Sequence, residues 1–360
     1  MNEEDLILDK ELENEEKIVE NDEGEYPLPP SNVYSYTETR SCSDICRMLG
    51  DELERNPDFQ RLDVWDQPQK TRFIDSLLKK LPIPSMCFSV DSNDKYIVID
   101  GRQRTGAIEE FLSEEGNDDI RLSLLDDVDE RISGKTIGEI RVNNPEVHRA
   151  IKNLTIPINV IKCDYTREDN LNYIYKIFQR LNTGGLKLSN QEIRNCVYYG
   201  SFIKLINECN KMEEWISWVE KLAQDKRMKG AERILLFFCM YFSLDTYEKK
   251  LSTFLNDFLI KHKNEKSEWI EEQRQLFKKT IHVASKIKLK FSRNVYIDAI
   301  LYGIAKNIDK CSRKEPSELQ NLYEALLNDD AFIPDKLKEG TASKSRLLER
   351  YNAANRIFGE

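Results

Sequence analysis

Apolar positions change their period along this chain, and the changes mark its elements. Ser41-x-x-Asp44, followed by Ile45, Met48, Leu49 and Leu53, has the spacing of a capped amphipathic helix. A second helix is predicted from Pro68 to Lys80, with Phe73, Ile74, Leu77 and Leu78 on one face, stopped by Leu81-Pro82-Ile83-Pro84. Met86 to Val90 alternates weakly, as a short strand does. Lys95 to Asp100 (KYIVID) is β-branched and aromatic and predicts a stronger strand, with Asn93-Asp94 as the hairpin turn between the two. Gly101 ends that strand, and Thr105 to Leu112 has helical composition. Residues 113–150 are acidic and poorly patterned and predict an elaborated loop region. Leu154 to Cys163 is a further strand candidate. From Asn170 to Leu181 a helix is predicted, with Leu171, Ile174, Ile177, Phe178 and Leu181 on one face. Ser189-x-x-Glu192 is a capping box that opens the next helix.

From about Cys196 onward the period is almost purely helical. Phe202, Leu205, Ile206 and Cys209 share a face, as do Leu251, Phe254, Leu255 and Phe258, and Ile234 to Phe242 is apolar all round, as in a buried central helix. Neither a 20–50-residue repeat nor a heptad run is present. The expected fold is therefore α+β, with a small mixed sheet followed by a mostly α-helical domain. The expected division is an acidic tail over 1–25, a sheet-containing domain over 26–195 and a helical domain over 196–360.

The 360 residues are 40% hydrophobic and 33% charged, ordinary for a globular protein with a sizeable core. Charge changes the picture more. The formal net charge is −10, but residues 1–25 alone hold twelve Asp or Glu and two Lys. The remainder balances, so the acidic sum describes a tail that self-repulsion predicts to be disordered, and it leaves nucleic acid open as a partner. Eight cysteines are scattered without C-x-x-C spacing, as reduced thiols are. The acidic N-terminus lacks the features of a secretory signal, and the longest apolar run is far short of the about 20 residues of a spanning helix. A cytoplasmic protein without membrane contact is expected.

The chemistry concentrates at Asp100-Gly101-Arg102-Gln103-Arg104. A strand that turns through glycine into a helix aims backbone N–H groups one way, and the helix dipole adds positive potential, which suits phosphate. Gly101 permits a positive φ or a close approach. Arg102 and Arg104 bring guanidinium forks that hold phosphate oxygens in pairs, and Asp100 is placed to take a divalent cation bridging two phosphates. The same string also suits a solvated corner in which Asp100 is only an N-cap. A second constellation is Phe178 to Gly185, where a helix ends in Asn182-Thr183-Gly184-Gly185, a loop suited to a ribose, a base or a second phosphate, or equally a glycine C-cap. The third is Phe59-Gln60-Arg61 with Trp65, in which Arg61 is either a further phosphate ligand or half of a surface ion pair with Asp58 or Asp63.

Together these stretches resemble the N-terminal domain of the GmrSD type IV restriction endonucleases, a ParB/sulfiredoxin-like domain of bacterial anti-phage proteins. The family's aromatic-Gln-Arg…Val-Trp segment is similar to Phe59 to Trp65. Its Asp-Gly-Gln-Gln-Arg signature resembles Asp100 to Arg104, and its Asn-Thr-Gly-Gly…Leu-Ser…Glu-hydrophobic-Arg-Asn segment resembles the stretch ending at Asn195. The likeness runs over roughly residues 40–245. It implies a ParB/sulfiredoxin-like fold and nucleoside triphosphate binding, with hydrolysis in several members. Carried over, Asp100 and Arg104 are the catalytic candidates, with Asp100 as the ligand of a Mg2+ ion. Arg61, Gly101, Arg102, Gln103, Arg104, Thr105, Asn182, Thr183 and Gly184 form the nucleotide-binding set. Arg102 stands where the family usually has Gln, which either tightens phosphate binding or displaces the metal and suppresses hydrolysis. The family's HNH nuclease half is not evident: His148, His262 and His282 stand isolated, without metal-ligand neighbours. The resemblance thus implies a stand-alone member that binds a nucleoside triphosphate, with hydrolysis as in several members, in an anti-phage system, with DNA as partner and an effector protein supplying further activity.

The alternative is a DNA-binding or ParB-like nuclease module without nucleotide turnover. The strip Lys286-Ile287-Lys288-Leu289-Lys290-Phe291-Ser292-Arg293 fits contact with a phosphate backbone, although a solvated face is the commoner meaning. Cys42 and Cys46, four apart, read as two helix-face thiols. Trp215 and Trp218 read as core or interface rather than a stacking platform.

Overall fold

The computed structural model describes residues 30–54, 65–91, 93–113, 116–181, 189–225, 227–248, 250–290, 294–333, 336–337 and 343–360. The acidic tail over 1–25 lies outside them. The chain divides into two compact units, residues 27–187 and a helical unit from residue 188 to the C-terminus.

The first unit is α+β. Its elements are β1 (Tyr34–Ser41), α1 (Cys42–Met48), β2 (Leu53–Glu54), α2 (Gln67–Leu78), β3 (Met86–Val90), β4 (Tyr96–Asp100), α3 (Arg102–Leu112), α4 (Ile137–Asn143), α5 (Pro145–Lys152), β5 (Thr155–Lys162) and α6 (Glu168–Leu181). The sheet has the order β1-β5-β3-β4-β2 and is mixed: β1 pairs antiparallel with β5, β5 parallel with β3, β3 antiparallel with β4, and β4 parallel with β2. One face is apolar. Met86, Phe88, Val98, Ile156, Ile158 and Val160 meet Ile45 of α1, Phe73 and Ile74 of α2, Ile108 and Phe111 of α3 and Ile151 of α5 in one core. On the other face Ser89 is buried and its hydroxyl meets the Tyr165 hydroxyl, while α6 packs against β4.

Local chemistry explains the boundaries. Ser41 caps α1, its hydroxyl accepting from the Asp44 N–H while Asp44 reaches back to the Ser41 N–H. Asp66 and Gln69 form the same box on α2, with Pro68 in its first turn. In the β3–β4 hairpin, the Asp91 carboxylate accepts from the Asn93 and Lys95 N–H groups, and Asp94 takes a positive φ.

Residues 113–150, expected to be a loop region, contain two helices. Thr136 and Glu139 box the start of α4, and Pro145 opens α5. Ile132, Ile137, Ile140 and Val147 of this stretch are buried, as is Ile151 just beyond it. The two helices run for only 7 and 8 residues and bury two apolar side chains each, too short a run for helical spacing to declare itself. The segment before α4 is tied to α2: the Ser123 N–H donates to the Thr71 hydroxyl, and the Asp129 N–H to the Asp75 carboxylate. β1 is also absent from the sequence reading. Its first four residues are exposed, so it lacks the apolar alternation that marks a half-buried strand.

The helical unit contains α7 (Asn190–Val197), α8 (Ser201–Asn210), α9 (Glu213–Trp218), α10 (Glu220–Ala223), α11 (Lys229–Ser243), α12 (Leu251–Lys261), α13 (Ser267–Ala284), α14 (Asn294–Lys306), α15 (Ile308–Cys311), α16 (Pro316–Leu327) and α17 (Lys344–Gly359). Residues Ile234 to Met240 of α11 are all buried, as a central helix requires. Ser189 and Glu192 form the capping box of α7. α7 also carries a buried cation. Arg194 has no exposed side-chain surface; its Nε donates to Asn256 at 3.0 Å, Nη1 to Glu232 at 3.1 Å and Nη2 to Ser252 at 3.2 Å. In α9, Trp215 is buried against Phe277, and its indole N–H donates to Asn210. The indole N–H of Trp218 donates to the Ile287 carbonyl. Both tryptophans thus have the core and packing roles favoured from sequence.

Two outcomes are expected. Arg194→Met leaves Glu232 without that partner and should destabilise the helical unit by about 3–5 kcal/mol in a urea titration followed by circular dichroism. The second concerns glycine. Gly101 has a φ of 105°, and a Cβ there would lie 2.7 Å from Met86 Cγ, whereas Gly50 has a φ of 91° and open space around it. Gly50→Ala should therefore cost about 1–2 kcal/mol from backbone strain alone, and Gly101→Ala measurably more in the same titration.

Candidate anion site at the Gly101 turn

The site begins with β4, whose β-branched residues carry the chain through the sheet to Asp100. Between Cys87 and Phe88 the pairing of β3 with β4 shifts, so that Cys87 lies opposite Asp100. Such a bulge re-aims the side chains at a strand end. Gly101 then takes the left-handed conformation and serves as the N-cap of α3 without a side-chain hydrogen bond. A helix that opens in this way presents its partial positive charge at the turn.

Asp100 and Arg104 sit on either side of Gly101 and are paired. Arg104 Nη2 donates to Asp100 Oδ2 at 2.7 Å and to the Ser85 carbonyl at 3.5 Å, and Nη1 donates to the Pro84 carbonyl. The Arg104 side chain is 13% exposed and that of Asp100 49%. The fork is thus held on oxygens of its own chain, and Asp100 reaches solvent beside it. Cys87 is buried here, and burial, reinforced by the Asp100 carboxylate, pushes its thiol up to about 12, so it is no nucleophile.

The remaining candidates divide. Gln103 accepts from the Trp65 N–H at 3.1 Å, so its side chain anchors the chain just ahead of α2, and Trp65 packs on Phe73. The third constellation therefore reaches the turn through Trp65. Arg102 is half-buried at the first position of α3. Thr105 is fully buried; its hydroxyl donates to the Arg102 carbonyl and its N–H to the Gly101 carbonyl, which makes it an interior residue of the first helical turn, away from any ligand surface. Arg61, Asn182, Thr183 and Gly184 lie outside the described residues, so the structure places neither Arg61 nor the glycine loop.

Neighbouring groups that sequence reasoning missed complete the surroundings. Thr37 of β1, Asn159 of β5, Cys87 of β3 and Asp100 of β4 are partners in successive strands, forming one row across the sheet. The Thr37 hydroxyl donates to Asn159 Oδ1 at 2.9 Å, and Asn159 Nδ2 donates to the Ser85 hydroxyl at 3.1 Å. Only strand register joins these residues. The one local signal was an asparagine inside the apolar run of β5, where asparagine is disfavoured.

Elsewhere, the 286–293 strip is described as far as Lys290, and residues 291–293 lie outside the described residues. Gln320 bonds both the N–H and the carbonyl of Lys288, and Lys290 Nζ lies 2.7 Å from Glu324. Cys42 and Cys46 are pushed up to about 12 by burial, as packed helix-face thiols are. His148 lies against Phe111, His262 stacks on Trp269 and bonds Glu265, and His282 meets Glu214. Among the described residues no group of three or more His, Cys, Asp and Glu is placed to hold a metal ion, and no helix is long and apolar enough to cross a membrane.

No curated protein and no solved structure matches this chain. A family model does: residues 45–199 match the GmrSD restriction endonuclease, N-terminal domain. The match runs from within α1, through the Gly101 turn, to the residues just after α7. Residues 45–199 of this chain belong to the GmrSD restriction endonuclease N-terminal domain family.

Proposed function

We propose that this chain is a nucleoside triphosphate-binding component of a restriction-type, anti-phage system acting on DNA, and that the triphosphate is held at the Asp100–Arg104 turn. The observation that carries the reading is the Arg104 fork. It sits at an uncapped helix start and already holds three oxygens, from Asp100, Pro84 and Ser85. A phosphate offers the same acceptors with more charge, and such a fork pairs with it readily. The exchange leaves no buried charge unpaired, because the Asp100 carboxylate is half-exposed and keeps access to solvent while the phosphate takes its place on the covered guanidinium.

On this reading the phosphate takes over hydrogen bonds of Arg104 from Asp100, and the released carboxylate turns to a cation. Magnesium is commonly held by one or two carboxylates together with substrate phosphates, so the donor set of Asp100 plus a triphosphate fits it. When bound, the ion neutralises phosphate charge that would otherwise face Asp100. Arg102 adds a cation in the first turn of α3, which favours binding over turnover. The family's name makes DNA the proposed macromolecular partner, with a cytoplasmic location and an effector protein as the remaining parts of the reading.

Titration calorimetry of the full chain with ATP, GTP, CTP and UTP in magnesium tests it. At least one should give binding heat and raise the melting temperature. Arg104→Ala should weaken that binding by about 1.5–3 kcal/mol. Arg104→Lys should recover only part of the loss, since it keeps the charge and loses the fork. Silence with all four nucleotides ends the nucleotide reading. DNA bound without nucleotide, with steep salt dependence in a gel shift, would instead make the turn a site for backbone phosphate.

A further inference from the structure

A row of neutral polar groups lies beside the turn. Asn159 lies in β5, between β1 and β3, on a strand otherwise built of Ile, Val and Pro with Thr and Lys at its ends. Asparagine is disfavoured there, and a half-buried amide costs stability unless its hydrogen bonds are made. Here they are made only in part. The side-chain carbonyl has two lone pairs and accepts from the Thr37 hydroxyl. The amide has two N–H groups and donates one to Ser85. One acceptor position and one donor remain on the same planar group, whose orientation is fixed from both sides. Thr37 is exposed, and Ser85 and Asn159 are half-exposed, so the row is open to solvent.

Its position is as informative as its chemistry. Ser85 joins the two groups: its hydroxyl holds Asn159, and its carbonyl accepts from Arg104. The oriented amide is therefore joined to the proposed phosphate ligand through a single residue, Ser85. An amide that offers one donor and one acceptor side by side is the group that reads a base edge by two hydrogen bonds.

We infer that Thr37, Ser85 and Asn159 form the nucleoside subsite of this domain, with Asn159 the residue that discriminates between bases. The inference rests on the nucleotide reading above and goes beyond it, from the phosphates to the base. Thr37 and Ser85 are positioning residues, acting through the orientation of the amide. A site built to hydrogen-bond one base edge leaves its own polar group unpaired with the wrong base, and that is the source of selectivity.

The test separates the two readings. Wild type, Asn159→Ala and the near-isosteric Asn159→Asp are titrated with the four nucleoside triphosphates and with inorganic tripolyphosphate in magnesium, and each variant's melting curve is recorded. Wild type should prefer one base by about tenfold or more. Asn159→Ala should bring the four within about twofold of each other, and Asn159→Asp, which replaces a donor by an acceptor, should change their order. Tripolyphosphate affinity should be unchanged in Asn159→Ala, and in Asn159→Asp the added carboxylate should lower it no more than it lowers the affinity for the nucleotides as a group. Retention of the wild-type base order in both folded variants overturns the inference and leaves the phosphate site standing, as does a wild type that binds all four bases alike. Failure of wild type to bind tripolyphosphate or any nucleotide removes the phosphate site and the subsite with it.

Discussion

Within the first unit, the chain passes from β4 into α3 through one left-handed residue, Gly101, closed over by the Met86 side chain. This peptide decides where everything after it lies. It sends α3 back across the apolar face of the sheet, so that Ala107, Ile108 and Phe111 enter the core. It also brings Asp100 and Arg104, four residues apart, into one ion pair although one stands on a strand and the other on a helix. A side chain at position 101 would oppose both the backbone conformation and the Met86 contact, so the fold and the site share a single constraint.

The ion pair satisfies a strongly charged corner from within the chain. Arg104 is mostly covered, and a covered guanidinium requires acceptors. Asp100 and the carbonyls of Pro84 and Ser85 supply them. This internal satisfaction is also what a phosphate would replace, which joins stability and binding at one group. The neutral row from Thr37 to Ser85 differs in kind. It carries no charge, is only partly satisfied, and is held by three separate strands or strand ends. On the proposed reading, charged donors for phosphate beside an oriented amide would divide the work of strength and selectivity.

The helical unit shows what a buried charge network does where no ligand is invoked. Arg194, Glu232, Asn256 and Ser252 link α7, α11 and α12, and Arg233 of α11 reaches Asp298 of α14 at 3.2 Å. Glu192, Arg194 and Asn195 belong to a motif that the sequence marks as clearly as it marks the turn, yet all three are buried. A motif identifies a shared environment, and only coordinates tell a packing role from a binding one.

The sequence by itself determined the elements whose signals are local. Helices α1 and α7 announced themselves through capping boxes, α2 through its apolar face and proline stop, β3 through weak alternation, β4 through β-branched and aromatic residues after an Asn-Asp turn, and the turn at Gly101 through its glycine and its arginines. It missed β1, which is largely exposed, and α4 and α5, which at 7 and 8 residues are too short to show a helical period. At the candidate site the letters Asp100 to Arg104 were legible, but their geometry was not: Thr105 turned inward, Gln103 turned to Trp65, and Arg104 turned to its own chain. Thr37, Ser85 and Asn159 were invisible, because 122 residues separate Thr37 from Asn159 and only the pairing of β1 with β5 and of β5 with β3 makes them neighbours. Local propensity follows from a residue's own backbone and near neighbours, whereas a row across a sheet exists only once distant strands have found their register.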